Sequence, residues 1–285
     1  MTTHPHPGDV TANVRKILSE YLACGIDPEK AAIYVQSDVK EVLELYLYLN
    51  MNAYLGELQR VTSFKEKARK QPENVNAGLL TYPTLMAADI LIHRADKVPV
   101  GKDQEQNMEM ARKFARRFNT IYGVEFFPEP QSYSFGGDAI KVPGLDGSGK
   151  MGKSEGNAIY LIDDAATIRK KVMKAVTDSG PTQPNSEKPE AIANLFTMLK
   201  IVSSADTYDY FNEKYNACEI RYGDLKKQLA EDIVNFTSPI RERILAYAAD
   251  TEYMDKVARE GAEKARASAD KTCLLYTSPS PRDCS

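Results

Sequence analysis

A glycine-rich loop with two lysines, GSGKMGKS at Gly147 to Ser154, constrains the fold most, because it matches the phosphate-binding pattern GxxxxGK[ST]. In a P-loop protein a buried strand runs directly into the first glycine, and a helix begins at the final Lys-Ser to bind the phosphates. Here Pro143 to Asp146 separate any strand from the loop, and Glu155, Gly156 and Asn157 follow it before the strand-like AIYLI. The flanking sequence therefore argues against a P-loop NTPase, which stays open as an alternative.

The first half of the chain alternates helical patterns with short apolar runs. Helical spacing covers Thr11 to Cys24 and Val39 to Asn50, and the β-favouring run AIYVQ at Ala32 to Gln36 lies between them. A second strand is predicted at Val98 to Gly101, after an apolar helix from Leu85 to Arg94. This succession predicts a Rossmann-like α/β domain with a parallel sheet and crossover helices.

The second half is almost entirely helical in pattern. From Asp164 to about Asp270 the apolar residues recur at helical spacing, which predicts an all-α domain, and the glycines from Gly136 to Gly156 predict a long mobile loop before it. We expect a catalytic domain over 1–145, a lysine loop and linker over 146–163, and a helical domain over 164–270. The segment 271–285, KTCLLYTSPSPRDCS, breaks the composition, and we expect it to be non-native, such as translated vector.

Composition excludes several other classes of protein. With 37 basic and 40 acidic residues the net charge is −3, which argues against a general electrostatic nucleic-acid binder. No apolar stretch approaches a membrane span, and the first twenty positions do not match a signal peptide. The 4 cysteines form no CxxC pair, so neither a disulfide framework nor a metal site is indicated. We expect a cytoplasmic protein.

Asp89 is the most informative polar residue, because it is the only polar side chain in the apolar run LMAADILI. A buried carboxylate that lacks a partner costs about 3 to 5 kcal/mol, so a hydrogen-bond donor should face it. An indole N–H is such a donor, and Met86, one turn earlier, could pack against a flat ring. A structural salt bridge from Asp89 to His93 or Arg94 is the alternative that these residues leave open.

The end of the second predicted strand also marks a ligand-binding position. Val98, Val100 and Gly101 lie where that strand reaches the carboxyl edge of its sheet, and ligands of open α/β folds bind at that edge. Asp103 follows, and its simplest role is that of a helix N-cap.

Three segments resemble the tryptophanyl-tRNA synthetases of class I. KMGKS at Lys150 to Ser154 is similar to the KMSKS signature, with Gly152 in the third place, and the segments Val75 to Gln106 and Gly56 to Lys67 resemble the same family. The resemblance covers about Met1 to Lys271. It implies activation of L-tryptophan with ATP and Mg²⁺, transfer of the amino acid to tRNA(Trp), and a homodimer.

The resemblance also implies roles for individual residues. In amino-acid activation the substrate carboxylate attacks the α-phosphate of ATP, so catalysis depends on positioning and on neutralising the leaving phosphates. Lys150, Lys153 and Ser154 are the catalytic candidates. Asp89 would recognise the indole nitrogen, with Tyr82 and Gln104 at the amino-acid end. The remaining candidates are Met86 and Val100 for the amino acid, and Lys67, Gly101, Lys102, Asp103, Ile140, Met151 and Gly152 for ATP.

Two features depart from the family. Lys102 stands where the family usually has Glu, and no HIGH-like motif is present, since the opening HPHPGD is broken by prolines. We therefore expect that the chain lacks the family's N-terminal portion and, as given, activates tryptophan at no useful rate. The alternatives are tyrosyl specificity, a P-loop NTPase, and a non-catalytic paralogue that binds only RNA or a partner.

Overall fold

The computed structural model describes residues 6–101, 104–133, 141–152 and 155–277. The chain divides into two compact units. Unit 1 comprises Met1–Arg15, Asp27–Gly137 and Glu252–Ser285, and unit 2 comprises Lys16–Ile26 and Asp138–Thr251. The predicted domain boundaries, 1–145, 146–163, 164–270 and 271–285, remain a prediction.

Helices form most of unit 1. Helix α1 (Pro7–Ala23) is divided between the units and ends before Gly25, whose φ of 99° suits a helix stop. The other helices of unit 1 are α2 (Glu41–Met51), α3 (Leu55–Leu58), α4 (Thr62–Lys70), α5 (Ala77–Leu91), α6 (Glu105–Tyr122) and α11 (Thr251–Thr277).

A βαβ unit forms the sheet of unit 1. Strand β1 (Lys97–Pro99) pairs in parallel with β2 (Gln131–Tyr133), Lys97 standing opposite Gln131, and α6 connects the two strands. The predicted strand at Val98 to Gly101 is confirmed at its start, and the crossover confirms the predicted α/β class. Within the described ranges this sheet has two strands.

The segment Ala32 to Gln36 does not form the predicted strand. Its backbone is extended at Val35 (φ −86°, ψ 126°), but no ladder partner pairs with it among the described residues, and a short 3₁₀ turn, Gln36–Asp38, follows. Helix α11 covers this segment instead. A Cβ added at Gly261 would overlap the Ile33 carbonyl oxygen, and Arg266 Nη1 donates to the Asp38 carbonyl at 3.0 Å.

The core of unit 1 forms between α2, α5 and α6. Leu45, Leu91 and Phe114 are among its fully buried side chains. Helix α5 begins eight residues before the predicted Leu85, because Asn76 caps it by accepting from the Leu79 N–H at 2.9 Å. The core therefore fixes α5, the helix that carries Asp89.

Unit 2 is helical, as predicted for most of this region. Its helices are α7 (Ala165–Met173), α8 (Glu190–Val202), α9 (Ala205–Asn216) and α10 (Tyr222–Ala249). Helix α10 runs through Pro239. Proline removes one backbone hydrogen bond of a helix, and the buried face on both sides, including Ile233 and Ile244, keeps the axis continuous.

The start of segment 271–285 continues the fold. Helix α11 extends through Thr277, and Cys273 is buried with Ala269 in the core of unit 1. The segment is therefore helical as far as Thr277, and Thr272 and Cys273 complete the buried face of the helix. Its non-native origin remains a prediction. None of the described helices is both long enough and apolar enough to cross a membrane.

Candidate amino-acid pocket and lysine loop

Asp89 lies on α5 as a half-buried carboxylate with an uncharged partner. Gln36 Nε2 donates to both carboxylate oxygens, at 2.7 Å each. Burial raises the pKa of Asp89, and the hydrogen bond from Gln36 acts in the opposite direction. The alternative of a salt bridge to His93 or Arg94 is wrong, since none of the ion pairs between described residues includes Asp89. The Arg94 guanidinium lies over the Phe126 ring instead, 5.4 Å from its centroid.

A neutral hydrogen-bonded chain borders Asp89. The Tyr34 hydroxyl lies 3.0 Å from His93 Nε2, and His93 Nδ1 lies 3.1 Å from Ser268 Oγ on α11. Burial lowers the pKa of His93, and burial together with the charge of Asp89 raises the pKa of Tyr34. Both groups therefore favour their uncharged forms near neutral pH, which leaves the carboxylate without a positive neighbour.

Met86 and Val100 contribute the apolar part of this region. Both are half-buried and pack against the unit 1 core. Met86 precedes Asp89 by three residues, so the two lie on the same side of α5. A thioether beside a carboxylate can hold a flat ring with one polar edge.

A second cluster links α4, α5 and α6. The Tyr82 hydroxyl lies 2.7 Å from Ser63 Oγ and donates to Asn107 Oδ1 at 3.2 Å. Asn107 Nδ2 in turn donates to Gln104 Oε1 at 2.9 Å. Lys67 Nζ stands 4.9 Å above the centroid of the Tyr82 ring. The structure thus brings together Tyr82, Gln104 and Lys67.

Gly101 leads into α6. The Gln104 N–H donates to the Gly101 carbonyl at 3.0 Å, and Gln104 is the residue immediately before the first helical residue, Glu105. Lys102 and Asp103 lie outside the described residues, as does Ile140, so their predicted roles remain predictions.

Sequence reasoning missed Gln36, Ser63 and Asn107. Gln36 and Asp89 are 53 residues apart, and Tyr82 and Asn107 are 25 apart. One signal was available for Asn107, because it is a polar residue on the buried face of the amphipathic α6, only 6% exposed.

The lysine loop is held around Asn157, which is 6% exposed. Asn157 Oδ1 accepts from the Gly152 N–H at 2.9 Å, and its Nδ2 lies 3.0 Å from Asp146 Oδ1, Ser148 Oγ and the Lys150 carbonyl. The predicted mobile loop is therefore densely hydrogen-bonded over residues 144–152.

Other contacts of unit 2 support the same loop. Asn194 on α8 donates to the carbonyls of Gly147 and Ser148, at 3.0 Å each. Gly147 has a φ of 87°, and a Cβ there would lie 3.1 Å from Ala191 Cβ, so glycine is required. Hydrogen bonds, chiefly from Ser148, lower the pKa of Asp146.

The loop exposes Lys150 to solvent, whereas the next residue, Met151, packs inward. Lys150 is exposed, and no ion pair between described residues involves it. Met151 packs against the unit 2 core. No α-helix begins between Glu155 and Asp164, and the next is α7, which contradicts the P-loop alternative. AIYLI forms no strand there, and Lys153 and Ser154 lie outside the described residues.

Comparison with known proteins gives consistent matches. The family model described as class I tRNA synthetases (W and Y) matches residues 1–238. The tryptophan–tRNA ligase of Porphyromonas gingivalis is 78% identical over 272 residues, which cover 95% of this chain and 83% of the relative. That of Listeria monocytogenes is 42% identical, covering 90% of this chain and 77% of the relative. A crystal structure of tryptophanyl-tRNA synthetase from Campylobacter jejuni complexed with ADP and tryptophan has a TM-score of 0.85 at 33% identity, and the match covers 97% of this chain and 85% of that one.

Proposed function

The chain belongs to the class I tRNA synthetases of the tryptophan and tyrosine family, and from this premise we propose that the pocket around Asp89 binds L-tryptophan for ATP-dependent activation and transfer to tRNA(Trp). Its 78% identity to a tryptophan–tRNA ligase favours tryptophan over tyrosine as the substrate. The protein would accordingly act in protein biosynthesis, and we expect it to bind its tRNA in the cytoplasm.

The half-buried carboxylate of Asp89 carries the assignment of the pocket. An indole nitrogen only donates, so it requires an acceptor, and a carboxylate without a cation beside it is the strongest acceptor available. Gln36 favours the ionised form of Asp89 by donating to it, which keeps the carboxylate an acceptor. Met86 packs beside it and would contact the ring.

The activation step needs positioning and charge neutralisation from the protein. Tyr82 and Gln104 would hold the α-amino group, leaving the carboxylate of tryptophan to attack the α-phosphate while pyrophosphate departs. Exposed Lys150 and its loop partner Lys153 would neutralise the charge that grows on the leaving phosphates, and Lys67, above Tyr82, would reach the nucleotide.

Mg²⁺ would accompany the nucleotide. Among the described residues, no group of three or more His, Cys, Asp or Glu is arranged to hold a metal. Mg²⁺ commonly binds through substrate phosphates and water with few protein ligands, so we expect it to be delivered as the ATP complex.

A homodimer is proposed through the exposed face of α2. Leu43, Leu47 and Met51 are spaced at one helical turn and are 54%, 56% and 70% exposed, which makes an apolar stripe of a kind that subunit interfaces bury. Leu47→Lys should convert the dimer to a monomer in light scattering after size exclusion, whereas exposed Lys40→Glu, beside α2, should leave the dimer intact. A monomeric wild-type chain would refute this assignment.

L-tryptophan binding tests the pocket directly. The chain contains no tryptophan, so every indole fluorescence signal belongs to the ligand. Anisotropy of L-tryptophan should rise as protein is added, and Asp89→Asn should weaken binding about 10- to 100-fold, the range for a hydrogen bond to a charged group. The matched control is Asp96→Asn, an exposed change just beyond α5.

Competition with L-tyrosine separates the two specificities of the family. Tyrosine should displace tryptophan only at far higher concentration. Equal affinity of Asp89→Asn and the wild-type chain for tryptophan, or stronger binding of tyrosine, would sink the assignment.

A further inference from the structure

We propose that Asn107 is a positioning residue that makes the pocket specific for a ligand carrying an α-ammonium group. The inference rests on the proposed function, because it concerns how the same pocket recognises the amino-acid end of its substrate. Asn107 is 6% exposed and lies on α6, the helix that follows Gln104.

The side chain of Asn107 joins two candidate binding groups from different helices. Its Oδ1 accepts from the Tyr82 hydroxyl of α5 at 3.2 Å, and its Nδ2 donates to Gln104 Oε1 at 2.9 Å. A buried amide that satisfies both its oxygen and its nitrogen is held in one orientation. Asn107 therefore fixes the positions of Tyr82 and Gln104 relative to each other.

The direction of these hydrogen bonds decides which atoms the cluster offers to a ligand. An ammonium group has three donors and no lone pair, so the atoms around it must accept. With the Tyr82 hydroxyl donating to Asn107 Oδ1, Ser63 Oγ is the donor in its 2.7 Å contact with Tyr82, and the Tyr82 oxygen offers only lone pairs to other groups. Asn107 Nδ2 fixes the amide of Gln104 with its oxygen towards this cluster.

A side chain at position 107 that cannot both accept and donate a hydrogen bond would lose this arrangement. Without an acceptor at Asn107, the Tyr82 hydroxyl can turn its hydrogen towards Ser63 or the ligand, and the Gln104 amide can rotate to present its NH₂. Either change places a donor against the ammonium. The pocket would still accept the indole ring at Asp89, but it would lose its preference for the amino group.

A pair of ligands measures that preference. L-tryptophan and indole-3-propionate share the indole and the carboxylate, and only the first has the ammonium group. Calorimetry should give a large affinity ratio in favour of tryptophan for the wild-type chain. In Asn107→Leu the ratio should fall about tenfold or more, the size expected for a lost hydrogen bond to a charged group, with indole-3-propionate binding changed less than about threefold.

Two further variants separate positioning from folding. Asn107→His supplies one donor and one acceptor as a neutral imidazole and should keep the ratio within about threefold of wild type. Asn119→Leu removes another structural amide of α6, which bonds Phe126 and Phe127, and should weaken both ligands equally. Should Asn107→Leu fail to fold, Asn107→Ala provides the same comparison.

The possible outcomes distinguish the two proposals. Equal, weak binding of both ligands by the wild-type chain would overturn the proposed function and this inference together. A wild-type chain that prefers tryptophan, with the preference intact in Asn107→Leu, would overturn only the role of Asn107. A ratio that collapses in Asn107→Leu and returns in Asn107→His would establish it.

Discussion

Replacing Asn157 by Ala should loosen the lysine loop by a predictable amount. The amide accepts one hydrogen bond, from Gly152, and its two hydrogens serve three acceptors that include the Asp146 carboxylate. Asn157 can make three of these hydrogen bonds at one time. At about 1 kcal/mol each, and more for the bond to the Asp146 carboxylate, they contribute about 3 to 5 kcal/mol if no water replaces them. Allowing for that relaxation, we expect a local loss of about 3 kcal/mol, or roughly 100-fold more frequent opening.

Hydrogen exchange with site resolution is the assay for this loss. The Gly152 amide is protected only while the loop is closed around Asn157, so its exchange should accelerate about 100-fold in Asn157→Ala, and tryptic cleavage after Lys150 should become faster. Asn235→Ala, on an exposed position of α10, is the matched control. Exchange at Gly152 within threefold of wild type would show that Asn157 does not hold the loop, and the reasoning would fail.

Two other substitutions test the packing and the electrostatics. The raised pKa of Asp89 means that the folded state binds its proton more tightly than the unfolded chain, so stability falls as pH rises from the unfolded pKa to the folded one. Asp89→Asn, without ligand, should therefore raise the urea midpoint at pH 7.5 and change it little at pH 3.5; a uniform shift at both pH values would contradict this. Gly261→Ala places a Cβ against the Ile33 carbonyl oxygen and should lower the free energy of unfolding in urea by about 2 kcal/mol. Gly223→Ala, with nothing within 4 Å of the added Cβ, should not destabilise the protein, and equal effects of the two changes would refute the close approach at Gly261.

Local sequence signals predicted the features that depend on local physics. Helical periodicity located α1 and the helices of unit 2, and the residues around the lysine loop were enough to argue against a P-loop. These features arise from backbone conformation and from the side on which apolar residues recur. Asp89 was also found, because a lone carboxylate in an apolar helix is costly wherever the helix packs.

Features that depend on distant partners could not be predicted in the same way. The run AIYVQ has strand propensity, but a strand needs a neighbour, and α11 covers the segment instead. Gln36 as the donor to Asp89, and Asn107 between Tyr82 and Gln104, are tertiary contacts between ordinary amides. Nothing in the residues next to Gln36 distinguishes it from a solvent-exposed amide, and only its place on the apolar face of α6 marks Asn107.

Unit 1 cannot be completed during synthesis until α11 has been made, because α11 covers the segment Ala32 to Gln36. Arg266 and Asp38 are 228 residues apart, and Lys264 and Pro28 are 236 apart, with nearly all of unit 2 encoded between them. The ribosome therefore synthesises unit 2 before the last helix of unit 1 emerges, and unit 2 can fold while unit 1 is still incomplete. Until then the backbone around Ile33 and the face that Ala269 and Cys273 will cover are exposed to chaperones, proteases and other nascent chains. A stop codon or ribosome stall after Thr251 would thus leave unit 2 intact and the proposed tryptophan pocket on an incomplete core.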